Sequence, residues 1–249
     1  MRIVACIKAA PEDQDIHVAP DRTLDLSRAA WKVGAYDLNA VEAGRRLVDE
    51  VGGELVGLSM GGEALAATKL RKDVLSRGLD RLVVVAGDPA GDALQTATAL
   101  AAAVNEIGDV DLVLLGAGSA DRYAQQVGTV LGALLGRPTL NAVDHLEVQR
   151  DHVRVERLLE DGVQVVDVPL PAVLAVTSGI NTPRIAGMKD ILAAGKKPVL
   201  EVTPPVGAPA ATTRTVSVLA PEQKDRGRVL VEGTATEVAQ QLAQFLKAL

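Results

Sequence analysis

The stretch DLVLLGAGSADRYAQQVGTVLGALL, residues 111–135, contains the pattern that decides the fold. Its apolar beginning, 111–118, predicts a buried strand, and the part from about Ala124 to Leu135 is typical of a helix. A short run of small and polar residues joins the two. A strand that passes through such a run into a helix is the repeating unit of a parallel α/β sheet, whose ligands bind beyond the carboxyl ends of the strands.

Three more units of this kind precede that stretch. The apolar runs that predict their strands are 2–7, 54–60 and 81–87. The segments that predict their helices are 38–50, 63–76 and 91–106. Because strands that alternate with helices form a parallel sheet with helices on both faces, we predict an α/β fold with a Rossmann-like, doubly wound sheet.

The pattern changes after this region. Residues 145–170 alternate between apolar and polar side chains, which predicts an antiparallel hairpin or meander, and 171–179 predicts a buried strand that rejoins the main sheet. The Pro-, Ala- and Thr-rich segment 203–213 predicts an extended arm. A final helix follows, with a capping box at Thr234 and Glu237. Its apolar face predicts either packing on this domain or contact with a partner, and is formed by Val238, Leu242, Phe245, Leu246 and Leu249.

Charge and composition exclude several classes of function. The 26 Lys and Arg residues against 32 Asp and Glu residues give a net charge of −6, which argues against nucleic acid or an anionic membrane as the main partner. The single cysteine and three scattered histidines predict neither a disulfide nor a metal site. No apolar run is long enough for direct membrane insertion and no leader pattern is visible, so we expect a cytoplasmic protein.

The small-residue segment after 115 favours binding over catalysis. Gly116 and Gly118 make only a weak dinucleotide motif, but they suit an anion or ribose site in front of a helix N-terminus. Ser119 and Asp121 can hydrogen-bond a ribose. The other interpretation is that the glycines simply end a strand and Asp121 caps the next helix. Lys8 also has two interpretations: its side chain either contacts a phosphate or lies in solvent at the end of a strand.

Several stretches together resemble the β-subunit of the electron transfer flavoprotein family, and the likeness covers nearly the whole chain. The most specific is LPAVLAVTSGINTPRIAGMKDILAAGKKP, residues 170–198. It has the family pattern of an apolar strand, Asn-x-Pro-Arg, a short loop and a Lys pair before Pro. The stretches that are similar to the FixA-like branch are PEDQDI (11–16), YDLNAVEA (36–43), LRKDVLSRG (70–78) and DRYAQQVG (121–128).

This resemblance implies a sheet of the adenine-nucleotide alpha-hydrolase-like type and a role in electron transfer. The chain would be the β-subunit of a heterodimer with a FixB-like α-subunit. The heterodimer would carry electrons between flavoenzyme dehydrogenases and a downstream acceptor, such as a membrane quinone oxidoreductase. FAD would lie mostly on the α-subunit, and this chain would bind AMP in a structural role.

Two alternatives stay open. In an electron-bifurcating flavoprotein, a second FAD would take the place of AMP in this chain and NADH would reduce it. Only then would the subunit act as an enzyme in its own right. The alternative from another class is a stand-alone adenine-nucleotide sensor of the universal-stress type, built on a similar sheet.

The resemblance also implies the domain organisation and the nucleotide contacts. Residues 1–200 would form the nucleotide-binding domain, with the hairpin at 145–170, and 201–249 would clasp the α-subunit. The phosphate would lie near the amides of Gln125, Gln126 and Val127. The implied nucleotide contacts are Ala5, Gly34, Ala35, Tyr36, Asp37, Met60, Gly116, Ala117, Gly118, Ser119, Asp121, Ala124, Gln125, Gln126 and Val127. Many relatives have Asn-Pro where this chain has Gly34 and Ala35.

The segment from about 180 to 197 resembles the loop that docks partner dehydrogenases. Met188 would project from it as the anchor, because a flexible methionine adapts to several partners. Lys189, Lys196 and Lys197 would either steer an acidic partner or only solvate the loop. The implied docking residues are Asn181, Pro183, Arg184, Ile185, Met188 and Ile191.

Overall fold

The structure is a computed structural model that describes residues 1–88, 91–204, 211–222 and 230–247. The strands of these residues are β1 (Arg2–Cys6), β2 (Ala9–Pro11), β3 (His17–Val18), β4 (Leu24–Asp25), β5 (Trp31–Val33), β6 (Glu54–Gly61), β7 (Arg81–Ala86), β8 (Leu112–Gly116), β9 (Thr139–Val148), β10 (His152–Leu159), β11 (Gly162–Pro169), β12 (Ala172–Val176) and β13 (Val199–Val202). The α-helices are α1 (Ala35–Val51), α2 (Thr68–Ser76), α3 (Ala93–Ile107), α4 (Val127–Leu135), α5 (Met188–Ala194) and α6 (Ala235–Lys247). Short 3₁₀ helices span Asp13–Asp15 and Glu63–Ala66.

A nine-stranded sheet organises the chain, in the order β11-β10-β9-β12-β8-β1-β6-β7-β13. The strands from β9 to β13 in this order pair in parallel, whereas β9, β10 and β11 pair antiparallel. The chain builds β1, β6 and β7 outward in one direction and then returns to place β8 on the other side of β1. In doubly wound sheets, the crevice at this change of direction is the usual binding site.

Helices cover both faces of the parallel strands, as the alternation of side chains in β1 requires. Ile3 and Ala5 point into one buried cluster, which includes residues of α1 and α2, and Val4 points into the other, which includes residues of α3 and α4. Each fully buried leucine or isoleucine side chain contributes about 1.5–3 kcal/mol to folding. The predicted α/β fold with a Rossmann-like, doubly wound sheet is confirmed.

The predicted meander begins earlier than its sequence pattern. Strand β9 starts at Thr139 because its first half pairs in parallel with β12 and its second half antiparallel with β10. Strand β12 lies between β8 and β9, so the predicted return of the chain to the main sheet is confirmed. Strand β13 and helix α5 were not predicted. The first is a short edge strand, and the second lies in a segment rich in turn residues.

The chain forms two compact units. One contains Met1–His17 and Asp25–Ser217, and the other contains Val18–Leu24 and Val218–Leu249. In the second unit, Thr234 and Glu237 form the predicted capping box, in which the Thr234 N–H donates to the Glu237 carboxylate at 2.8 Å. Leu249 and residues 205–210 of the predicted arm lie outside the described residues. The division of the chain after residue 200 stays a prediction.

The apolar face of α6 carries exposed side chains, and Leu242, Phe245 and Leu246 are each more than half exposed. In the part of the chain that the structure describes, no helix combines the length and apolarity needed to cross a membrane.

Candidate functional site

A cavity of about 580 Å³ lies at the carboxyl ends of β1, β6 and β8, where the order of the strands reverses. Loop residues that follow these strands line it, together with the first turns of α3 and α4 and the short strand β5. This is the position at which doubly wound sheets bind nucleotides and related ligands. The volume lies within the range of small-molecule sites.

The cavity brings together many of the residues that the sequence resemblance implies. Those that line it are Asp37, Met60, Gly116, Gly118, Ser119, Ala124, Gln125, Gln126 and Val127. Those that lie outside its lining are Ala5, Gly34, Ala35, Tyr36, Ala117 and Asp121. Ala5 is fully buried in the middle of the sheet, and Ala35 and Tyr36 begin α1.

Asp37 is a buried carboxylate in the lining of the cavity. The backbone N–H of Lys8 donates to it at 2.8 Å, and the backbone N–H of Gly116 donates to it as well. Burial raises the pKa of Asp37 to about 7, although these two donors favour the charged form. The Asp37 carboxylate therefore links the start of α1 to the ends of β1 and β8.

Gly116, the last residue of β8, and Gly118, just after it, both lie against other parts of the chain. A Cβ atom on Gly116 would lie 2.6 Å from the Asp37 carboxylate and 2.9 Å from the Tyr36 backbone carbon. A Cβ atom on Gly118 would lie 2.5 Å from the ring of Tyr123. Both glycines also line the cavity, so the same absence of side chains leaves the backbone open to a ligand.

Asp121 forms an ion pair with Lys8 at the edge of this site. The Lys8 ammonium lies 2.6 Å from the Asp121 carboxylate. Burial alone would raise the pKa of Asp121, but hydrogen bonds from Lys8 and Ser119 lower it below its usual value. Lys8 is therefore not a freely solvated strand end, since it lines the cavity and its ammonium is paired with Asp121. A phosphate contact by Lys8 stays a prediction.

The loop that enters α4 lines the cavity with Ala124, Gln125, Gln126 and Val127. Tyr123 and Gln125 adopt positive φ angles of 47° and 56°, which non-glycine residues seldom do. Gln126 follows in the right-handed helical region and makes no side-chain cap. Consecutive left-handed and right-handed residues at an uncapped helix start form a concave anion site.

Trp31 and Arg122 are among the lining residues that were not singled out from the sequence. Trp31 lies on β5, and Arg122 lies in the loop before α4. Neither belongs to a pattern that marks a ligand: Trp31 stands alone after a polar segment, and a loop arginine is usually a solvated side chain. Only the pairing of β5 with β2 and the path of the loop bring them to the cavity.

A second candidate surface begins at residues 181–184, which hydrogen bonds and an ion pair hold against α1. The Asn39 side chain donates to the Asn181 carbonyl at 2.7 Å, and the Asn181 side chain donates back to the Asn39 carbonyl at 3.0 Å. The Arg184 guanidinium lies 2.7 Å from the carboxylate of buried Glu42, which also pairs with Arg46. Burial favours a higher pKa for Glu42, but hydrogen bonds from these two arginines lower it below its usual value.

The residues that follow this pinned base are exposed and apolar. Ile185 is 91% exposed, and Met188, the first residue of α5, is 75% exposed. Leu192 and Ile191 on the same short helix are also exposed. The base of the segment is therefore fixed on α1, while its tip presents uncovered apolar side chains, as docking surfaces do.

Lys197 differs from its sequence interpretation as a steering or solvating charge. Its ammonium donates to the carbonyls of Leu75 and Leu79 at 3.0 Å and 2.6 Å, at the end of α2. Burial lowers the pKa of Lys197. This lysine holds the segment after α5 against α2, and so its role lies in the fold.

The described residues contain no group of three or more His, Cys, Asp or Glu side chains that could hold a metal ion. In a comparison with protein families, the electron transfer flavoprotein domain matches residues 22–206. The matched region is well over half of the 249 residues and contains the cavity loop, α1 and the segment 181–192. The chain therefore belongs to the electron transfer flavoprotein family.

Proposed function

We propose that this chain is the β-subunit of a heterodimeric electron transfer flavoprotein of the FixA-like branch, and that its partner is a FixB-like α-subunit. Members of this family act together with other flavoproteins. The signature at 170–198 and the FixA-like stretches support the subunit assignment, as does an exposed apolar tip on a pinned base. A stand-alone sensor has no use for such a surface.

We propose AMP as the ligand, because the cavity has an apolar wall that suits an adenine base and a helix start that suits a phosphate. Met60, Leu65 and Leu115 form the apolar wall against which a base can pack. The uncapped start of α4 offers N–H groups to a phosphate. Bound there, AMP would join the ends of β1, β6 and β8 to α4 in a structural role.

The redox FAD in this proposal lies mostly on the α-subunit and supplies the electron-carrying chemistry. The residues of the β-subunit bind, orient and dock. Met188 and Ile185 would insert into an apolar recess of a flavoenzyme dehydrogenase, and Asn181 and Arg184 would hold the base of that segment in place. The function of the chain is therefore to bring two flavins together and not to carry out acid–base catalysis.

The observation that carries this proposal is the double role of α1. The first turn of α1 supplies Asp37 to the cavity. Its next turns supply Asn39 and Glu42, which fix the exposed segment. One rigid helix therefore connects the nucleotide site with the docking surface, which suits a subunit that is scaffold and adaptor at once.

Co-expression with the FixB-like α-subunit tests this proposal. We expect a one-to-one complex that carries flavin absorbance. We also expect Met188→Ser to slow electron transfer from the partner dehydrogenase while the complex still forms. Val51→Ser, which changes an exposed apolar residue at the other end of α1, is the matched control and should have no effect. A chain that purifies alone, without flavin, would overturn the assignment.

A further inference from the structure

Two residues of the cavity wall, Trp31 and Arg122, have the chemistry of the two ends of a nucleotide. We propose that the indole of Trp31 stacks on the ring of the bound nucleotide and that Arg122 binds its phosphate, so that the site selects ligands that carry both groups. This inference rests on the proposed function. It adds the orientation of the ligand and the residues that decide which compounds bind.

The charges around the cavity assign the phosphate to Arg122. Of the described residues that line it, two are basic, Lys8 and Arg122. The Lys8 ammonium is already paired with Asp121 at 2.6 Å. Arg122 forms no ion pair with any residue that the structure describes, so its charge is available to a ligand. Arg122 also belongs to the loop that leads into α4, whose start carries no side-chain cap.

Helix α3, which also begins at the cavity, is closed to an anion. The Asp92 carboxylate caps α3 by accepting from the Gln95 N–H at 2.9 Å. Its second oxygen accepts from the N–H and the hydroxyl of Thr212, at 2.6 Å and 2.9 Å. A phosphate placed there would meet this carboxylate. Of the two helix starts, that of α4 is therefore the favourable place for a negative group.

Trp31 lies on β5, which is held in place by its pairing with β2 and by the contacts of the next two residues. Strand β5 pairs with β2, with Trp31 opposite Pro11. The next residue, Lys32, forms an ion pair with Asp13 at 2.8 Å, and Val33 is buried in the core. Trp31 and Val33 lie on the same face of the strand, so Trp31 extends this apolar face toward the cavity.

The indole itself is well suited to a planar ring. Trp31 is 43% exposed and is one of the residues that line the cavity. An aromatic ring that stacks on a nucleobase strengthens binding without reading its hydrogen-bonding edge. Arg122 and Trp31 come from different walls of the cavity, the α4 loop and the β2–β5 pair. The ligand that contacts both needs a ring at one end and a phosphate at the other.

The sequence makes this inference directly measurable, because Trp31 is the single tryptophan of the chain. The full-length chain, dialysed to remove bound nucleotide, is titrated with AMP, adenosine and ribose 5-phosphate while its tryptophan emission is recorded. We expect AMP to quench the emission, and adenosine to quench it at higher concentration. Ribose 5-phosphate should leave the emission unchanged but compete with AMP.

Variants separate the two ends of the ligand. Arg122→Gln should weaken AMP binding about tenfold, as expected for loss of a charged hydrogen bond, and leave adenosine binding unchanged. Trp31→Leu should weaken both ligands about tenfold, and Trp31→Phe should restore most of that loss. Equilibrium dialysis measures these affinities without fluorescence. Arg150→Gln, at an exposed arginine in the turn after β9, is the matched control.

The outcomes distinguish this inference from the proposed function. Binding of AMP without any change in emission, and with equal affinity in Arg122→Gln, would overturn the inference and leave the β-subunit assignment intact. Failure of AMP to bind the wild-type chain by dialysis would overturn the proposed nucleotide site itself. Quenching by AMP that is lost in Arg122→Gln at the same concentration supports the inference.

Discussion

Gly116, at the end of β8, shows how a single missing side chain positions the site. The start of α1 lies so close to this residue that a Cβ atom would overlap Asp37 and the backbone of Tyr36. Because backbone atoms cannot move aside as a flexible side chain can, we expect Gly116→Ala to lower the free energy of unfolding by about 1–3 kcal/mol. Urea denaturation followed by circular dichroism measures this change.

Gly195 provides the matched control for that substitution. Gly195 lies in the right-handed helical region, which alanine adopts readily, and the nearest atom to a new Cβ would be the Lys72 Cε at 3.4 Å. Since the end of a lysine side chain moves easily, Gly195→Ala should leave the stability almost unchanged. Equal losses for both substitutions would show that the contact at Gly116 is not tight.

Asp37 makes the stability of the protein depend on pH in a defined direction. Its pKa is raised from 3.8 to about 7 by burial. Between these values the folded state keeps a proton that the unfolded state has lost, so stability must fall as the pH rises from about 4 to about 7. Integrated over about three pKa units, the contribution is about 4 kcal/mol. Below this range the carboxyl is protonated in both states, and the penalty vanishes.

The variant Asp37→Asn isolates this contribution, because an amide has a similar shape and does not titrate. We expect its stability relative to the wild type to rise between about pH 4 and about pH 7, by up to the amount calculated above. Urea denaturation of both proteins at several pH values gives the difference. Parallel pH profiles would mean that Asp37 is ionised in the folded protein throughout this range.

Among the elements, α1 connects the two candidate surfaces. Glu42 is 5% exposed, and its carboxylate holds Arg184 and Arg46. Glu42→Gln removes the charge that fixes the base of the docking segment. We expect the free energy of local opening of residues 181–184 to fall by about 1–3 kcal/mol, with the sheet unaffected.

Amide hydrogen exchange read by peptide mass spectrometry measures this local effect. Glu50→Gln, at an exposed position of the same helix, is the matched control and should exchange like the wild type. If the peptide that covers 181–184 exchanged at the same rate in Glu42→Gln, the ion pair would not be what fixes the segment.

The elements that could be predicted from the sequence are those whose own residues carry the signal. Strands β1, β6, β7, β8 and β12 are continuous buried runs, and the helices between them have a clear apolar face. Strand β13 could not be predicted, because it is a short edge strand whose Leu200 is about half exposed. Helix α5 could not be predicted, because its apolar residues lie in a short segment between glycines and a proline.

The residues of the candidate site also include some that could be predicted from the sequence and some that could not. The loop at 116–127 could be located from its small residues between a strand and a helix. The positions of Trp31, Arg122 and Lys197 could not, because each depends on a contact with a distant part of the chain: β2 for Trp31, the strained loop path for Arg122 and the end of α2 for Lys197.

At the scale of the whole molecule, the C-terminal unit has the features of a partner-binding appendage. Leu242, Phe245 and Leu246 form an exposed apolar face on α6. We expect a chain that ends after Ser217 to lose at least about tenfold in affinity for the α-subunit, because burial of exposed apolar surface is the dominant favourable term in most protein–protein association. Sedimentation or titration calorimetry with the purified α-subunit measures this loss.

The truncation keeps Thr212 and its hydrogen bonds to Asp92, so the cavity and the sheet should stay folded. Circular dichroism provides that control, and the milder variant Phe245→Ser should lower the affinity in the same direction. Unchanged affinity in a folded, truncated chain would mean that the α-subunit binds elsewhere.

We propose a β-subunit that holds an adenine nucleotide in its own cavity and relies on its partner for the redox flavin. The most direct test is to denature the purified complex of this chain with its α-subunit and to quantify the released nucleotides by chromatography. One FAD and one AMP for each heterodimer is the result we predict. Two FAD and no AMP would contradict it, because the cavity at 116–127 would then hold a second flavin and electron bifurcation would become the better explanation.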